Sequence, residues 1–161
     1  MNKIFIIEGA DGTGKTTLAN EIYKVTKGHI LHSTYNKEFN IEKYHEQIID
    51  SAISLAKYQP VIIDRWAVSE LVYGNVFRDG PSYDINKLIQ AASHLQIVWI
   101  YCENEDSIEN HKRNQKTREE MFNDMTGVVH EYDRYISTSD LGWIRYNFNW
   151  VDTKEFVKEI I

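Results

Sequence analysis

The apolar run Ile4-Phe5-Ile6-Ile7 gives way to Glu8-Gly9-Ala10-Asp11-Gly12-Thr13-Gly14-Lys15-Thr16-Thr17. Gly9, Gly14, Lys15 and Thr16 satisfy G-x-x-x-x-G-K-[ST], with a strand pattern before and a helix pattern after. Glycines let the backbone curl until successive N–H groups face one anion. The helix that follows adds the positive end of its dipole. The Lys15 ammonium can reach β- and γ-phosphates, and the Thr16 hydroxyl can take one position on Mg²⁺. Gly12, Thr13 and Thr17 complete the ATP-binding stretch. The stretch predicts ATP and Mg²⁺ as ligands. It leaves a question, because an aspartate, Asp11, sits inside an anion-binding loop.

A second segment, Val61 to Gly74, reads VIIDRWAVSELVYG. A buried strand ends there in Asp64-Arg65. In a parallel sheet the carboxyl ends of strands line the ligand crevice, which sets this pair opposite the phosphate loop. Asp64 can hold Mg²⁺ through water or accept a proton. Arg65 can grip a second phosphate with two parallel hydrogen bonds.

The elements that must position these residues are legible as patterns. Ile4–Ile7, Val61–Ile63, Ile97–Tyr101 and Trp143–Phe148 read as buried strands, and His29–His32 as a weaker one. Ile41, Tyr44, Ile48, Ala52 and Leu55 recur at helical spacing. So do Met121, Met125, Val128, Val129, Tyr132 and Ile136. Asp84 can cap a helix running to Ala92. Asp152 or Thr153 can cap the last helix, with Glu155 placed to reach back. Strands alternating with helices predict an α/β, three-layer fold of about five parallel strands flanked by helices. Residues 105–120 break the pattern. They are strongly polar and carry Lys112, Arg113, Lys116 and Arg118 among acids, as a solvated helix or a short lid would.

Composition narrows the class. A chain of 161 residues with 42% hydrophobic and 26% charged content suits a single domain with a real core. A net charge of -6 argues against a nucleic-acid partner, which calls for a basic face. No apolar run is long enough for a membrane span, and no signal peptide is visible. The single cysteine, Cys102, ends an apolar run and reads as core filler, which suits a reducing cytoplasm. The histidines show no zinc-ligand spacing. Trp99 and Trp143 read as core within strands, and Trp150 as a packing residue after the last strand.

The two motifs together resemble the thymidylate kinase family of P-loop nucleoside monophosphate kinases. That family carries E-G-x-D/E-G-x-G-K-T-T, matched by Glu8 to Thr17. It also carries D-R-[YHW]-x-x-S-x-x-A-Y, matched by Asp64-Arg65-Trp66, Ser69 and Val72-Tyr73. The chain is shorter than typical cellular members and nearer the compact phage and prophage type. The resemblance implies ATP-dependent phosphorylation of a deoxynucleoside monophosphate, dTMP first. It implies that Asp11 faces the acceptor's 3′-hydroxyl, that Arg65 holds its phosphate, that Ser69 and Tyr73 belong to its site, and that Asp64 organises Mg²⁺. A basic residue after the second strand often joins them, and Lys37 is the candidate. Some members carry an arginine at position 12. This chain has Gly12, so the catalytic arginine is expected from the lid, as Arg113 or Arg118 with Lys116 in reserve. The family forms homodimers, which the apolar helices could support.

The match departs at the base. The family's stacking phenylalanine and carbonyl-reading arginine lie on the helix before the Asp-Arg strand. That helix offers only Tyr44 or Phe39 to stack and His45 or Gln47 to hydrogen-bond. Gly74 and Asn75 stand where a glutamine is often found. The acceptor's base is open at this stage. So are two other readings, a deoxynucleoside kinase and a non-catalytic nucleotide-binding relative.

Overall fold

The computed structural model describes residues 1–114 and 125–161, and of 111–114 the backbone. The elements run β1 (Ile4–Glu8), α1 (Lys15–Thr26), β2 (His29–His32), α2 (Ile41–Leu55), β3 (Val61–Asp64), α3 (Ala67–Phe77), α4 (Ile85–Ala91), β4 (Ile97–Cys102), α5 (Ser107–Asn114), α6 (Met125–Thr138), β5 (Ile144–Tyr146) and α7 (Thr153–Ile160).

The five strands form one sheet in the order β2-β3-β1-β4-β5, every pair parallel. Side chains alternate across a strand, and β1 divides accordingly. Ile4 and Ile6 face a core layer completed by α2, α3, α4 and α6. Phe5 and Ile7 face a second layer built with α1 and α7. All of Ile4, Phe5, Ile6 and Ile7 are fully buried, as a central strand covered on both faces requires. This is the three-layer arrangement expected from the sequence.

Parallel pairing brings every carboxyl end to one edge of the sheet. The register sets Ile7 beside Asp64 on β3 and Glu8 beside Tyr101 on β4. The phosphate loop therefore leaves β1 between the ends of β3 and β4.

Some local expectations need revision. β5 spans only Ile144–Tyr146, so Trp143 precedes the strand. Its ring packs on Trp99 with centroids 5.2 Å apart. Asp152 does cap α7, accepting from the N–H groups of Lys154 and Glu155. The Glu155 carboxylate does not reach back but accepts from Lys158 Nζ at 2.6 Å. The patterned helix with Tyr132 is α6, while Met121 lies outside the described residues. Cys102 is fully buried, and burial pushes its thiol pKa up to about 12, an inert core side chain. Among the described residues no helix is long and apolar enough to cross a membrane.

Candidate active site

The loop between β1 and α1 has the shape its glycines allow. Gly9 takes φ 145°, and a Cβ there would lie 2.2 Å from the Cys102 carbonyl oxygen. Only glycine lets the loop pass this close to the end of β4. Lys15 opens α1, and its ammonium donates to the Ala10 carbonyl at 2.6 Å. Thr13 Oγ1 donates to the same carbonyl at 2.8 Å. Burial first, and then the Arg65 cation, hold the Lys15 pKa down to about 8. An anion placed beside the ammonium would offset both effects.

The donor set also fits a divalent cation beside it. Thr16 Oγ1 donates to Asp64 Oδ2 at 3.2 Å, and His32 Nδ1 lies 3.2 Å from the same oxygen. The other carboxylate oxygen, Asp64 Oδ1, is buried with no hydrogen-bond partner. A buried carboxylate oxygen without a partner is costly unless a cation or water completes it. A hydroxyl with a carboxylate is the oxygen set that Mg²⁺ accepts alongside phosphates. Thr16 and Asp64 therefore fit the metal predicted from the sequence.

Arg65 turns the chain sharply from β3 into α3 at φ 69°, a left-handed backbone that non-glycine residues rarely adopt. The turn aims its guanidinium at the phosphate loop, where it is paired with the Asp11 carboxylate. Its other nitrogen donates to Tyr73 Oη at 3.4 Å and Tyr132 Oη at 3.5 Å. Its carbon lies 5.3 Å from the Tyr73 ring centroid.

What holds this turn is a residue outside the sequence-based site. Glu8, at the end of β1, is fully buried. Its Oε1 accepts from the Trp66 N–H at 2.9 Å and the Ser69 N–H at 3.4 Å. Its Oε2 accepts from Ser69 Oγ at 2.5 Å and Tyr132 Oη at 3.4 Å. Trp66, the N-cap of α3, supplies no side-chain cap bond. Glu8 does that work from another strand, satisfying N–H groups that a helix start leaves open. Burial pushes the Glu8 pKa up, opposed by the Ser69 and Trp66 hydrogen bonds. Position 8 lies within the first motif, but no local signal shows that its partner is a helix start fifty-eight residues away.

A cleft of about 460 Å³ opens beside Arg65. Asp11, Arg65, Ser69, Tyr73 and Lys37 all line it, so the structure gathers every acceptor-site residue expected from the sequence. Ser69 enters it with its hydroxyl already engaged by Glu8 and Tyr132. Tyr35, Trp66 and Phe77 add aromatic wall, and Glu70 and Arg78 add a charged pair.

The base-reading candidates fare differently. Phe39 is exposed and packs on Tyr44 with centroids 5.3 Å apart, and neither lines the cleft. Tyr44 Oη instead ties down the end of β2 through His32 and Thr34. Gln47 is exposed on α2 and does not line the cleft. His45 does line it, but Ser33 Oγ and Tyr83 Oη engage both ring nitrogens, at 3.2 and 2.7 Å. Burial holds the His45 pKa down to about 4, so the ring is neutral.

On the loop's other flank, α5 begins the polar segment. Asn110 Nδ2 donates to the Gly12 carbonyl at 3.2 Å, resting α5 on the phosphate loop. Glu105 ties this region to the loop after β5, accepting from Asn147 Nδ2 at 2.8 Å and Trp150 Nε1 at 3.0 Å. Trp150, expected to pack, is 69% exposed. Of the expected lid arginines, Arg113 belongs to α5. Arg118 lies outside the described residues, as does Lys116.

No protein-family model and no curated protein sequence matches the chain. Solved structures do. The chain is similar to the YorR protein of Bacillus subtilis in complex with phosphorylated GDP, with a TM-score of 0.77 at 24% identity, over 98% of this chain and 92% of that one. It is also similar to deoxyadenosine kinase from M. mycoides. In the form with products dCMP and a flexible dCDP bound, the TM-score is 0.62 at 17% identity, over 98% and 96% of the two chains. In the form with bound dATP it is 0.59 at 18% identity, again over 98% and 96%. At these identities the likeness concerns the fold alone, a parallel five-stranded sheet flanked by helices.

Proposed function

We propose that the chain transfers the γ-phosphoryl group of ATP to a deoxynucleoside monophosphate, with dTMP the first candidate. The observation that carries this reading is the cleft in which Arg65 and Lys37 share a wall with aromatic side chains, next to the phosphate loop. Cations and ring surfaces lining one cleft suit a phosphate joined to a planar base.

In this reading the triphosphate lies on the backbone N–H groups of residues 9–17. Lys15 turns from the Ala10 carbonyl to the β- and γ-oxygens. Thr16 and Asp64 would hold Mg²⁺, which would supply charge neutralisation to the phosphates. Arg65 exchanges the Asp11 carboxylate for the acceptor's phosphate, and Asp11 is released toward the sugar. An acceptor phosphate oxygen forms a bond to Pγ as the bridge to the β-phosphate breaks, leaving ADP. The attacking oxygen is already an anion, so no base has to remove a proton. Positioning and neutralisation carry the reaction. Arg113 or Arg118 is proposed to bring the further cation that Gly12 cannot.

One observation favours a second reading, a kinase of the free deoxynucleoside. The Asp11 carboxylate already occupies Arg65. An acceptor without a phosphate would leave that pair in place, and Asp11 could then accept the 5′-hydroxyl proton. The Arg65→Ala variant separates the two through KM. If Arg65 holds an acceptor phosphate, the KM for dTMP rises roughly 100-fold while the KM for ATP changes little, as loss of a charge-assisted bidentate contact of about 3 kcal/mol predicts. An unchanged KM for dTMP would remove the basis of the monophosphate reading.

A further inference from the structure

The same cleft carries a second guanidinium, that of Arg78. α3 runs along the wall from Arg65 at its start to Arg78 at its C-cap. The two side chains reach toward each other along it, Arg65 to Tyr73 and Arg78 back to Glu70, so both guanidiniums face the one cleft. Arg78 Nη2 donates to Glu70 Oε2 at 2.9 Å and Nη1 donates to Ser82 Oγ at 3.0 Å. Glu70, only 4% exposed, also accepts from the Ser82 N–H at 2.8 Å. The Arg78 carbon lies 4.7 Å from the Tyr35 ring centroid, so the guanidinium bridges the loops after α3 and after β2.

The backbone fixes this arrangement. The N–H groups of Arg78 and Gly80 both donate to the Gly74 carbonyl, at 3.0 and 3.2 Å. A Cβ at Gly74 would lie 2.7 Å from the Gly80 carbonyl oxygen and from Pro81 Cα. Glycine at position 74, which looked like the loss of a base-side glutamine, is what lets the loop fold back and present Arg78.

Each guanidinium has a carboxylate partner, part-exposed Asp11 for Arg65 and buried Glu70 for Arg78. Glu70 neutralises Arg78 from a buried position, so the pair offers directed N–H donors with little net attraction for an anion. A guanidinium carries more donors than these two bonds use, and its planar fork suits ring acceptors. We propose that Arg78, held by Glu70 and Ser82, donates to a ring carbonyl of the acceptor's base, so that the acceptor is a thymine, uracil, cytosine or guanine nucleotide and not an adenine one. This rests on the cleft being the acceptor site and names the class of base it takes.

Binding and turnover test it separately. Calorimetric affinities and steady-state constants are measured for dTMP, dCMP, dGMP and dAMP, with the wild type and with Arg78→Gln and Arg78→Lys. The wild type should bind at least one carbonyl-bearing nucleotide roughly 10- to 100-fold more tightly than dAMP, the discrimination a good side-chain-to-base pairing supplies. Arg78→Gln should abolish most of that ratio with kcat changed far less. Arg78→Lys, which keeps the charge without the fork, should restore only part of it. Wild-type preference for dAMP, no nucleotide binding at all, or a ratio unchanged in both variants overturns the proposal. A base preference that depends on Arg78 in binding, without turnover of any monophosphate, upholds it and instead counts against the proposed reaction.

Discussion

At the residue scale, the phosphate loop was readable because its chemistry is contiguous. Glycines, a lysine and a threonine at fixed spacing need only a strand before and a helix after. Asp64 and Arg65 were readable for the same reason. Glu8, Arg78 and His45 were not, because each acquires its partners through folding. Glu8 meets Trp66 and Ser69, and His45 meets Ser33 and Tyr83. His45 makes a prediction of its own. Its pKa falls from 6.5 unfolded to about 4 in the fold. Above pH about 6.5 both states are neutral and it adds nothing. As pH drops from there toward about 4, the unfolded chain takes up a proton that the native ring refuses, so stability is lost. Urea unfolding over that range should show wild type losing on the order of 2 kcal/mol more than His45→Gln. Parallel pH curves for the two proteins would show that the ring titrates normally.

At the element scale, strands and helices followed their periodicities, and the misreadings lie at their ends. β5 is short because Trp143 packs against Trp99 before the strand begins. Apolar periodicity marks that ring as buried without saying whether its backbone pairs. α3 is the element that joins the parts of the site. Arg65 leads into its start, Tyr73 and Ser69 lie on it, and Arg78 ends it. Its N-terminus depends on a carboxylate from β1, which couples the strand before the glycine loop to the cleft lined by Arg65. Glu8→Ala should leave the Trp66 and Ser69 N–H groups without their acceptor at a buried helix start. The expected loss is about 2–4 kcal/mol of stability by denaturant unfolding. Glu8→Gln, which keeps a carbonyl oxygen toward the Trp66 N–H, should lose about half as much. Equal losses for the two variants would mean that volume alone matters there.

At the scale of the whole molecule, the parallel sheet is the reason these residues meet. Its order puts β1 between β3 and β4, so the loop, Asp64-Arg65 and the start of the polar segment converge at one edge. That much follows from a βα alternation that the sequence displays. The place of Arg78 in the cleft does not, because it depends on how the loop after α3 folds back over Gly74. In the proposed reaction this edge joins ATP to an acceptor which already bears a phosphate. The most direct measurement supplies [γ-³²P]ATP and Mg²⁺ with each deoxynucleoside monophosphate and, in parallel, each free deoxynucleoside, and separates the labelled products. Label appearing in a deoxynucleoside diphosphate, with dTDP foremost and none in a monophosphate made from a nucleoside, is the result expected. Label in the nucleoside reactions alone, or in no acceptor although ATP binds, would contradict it.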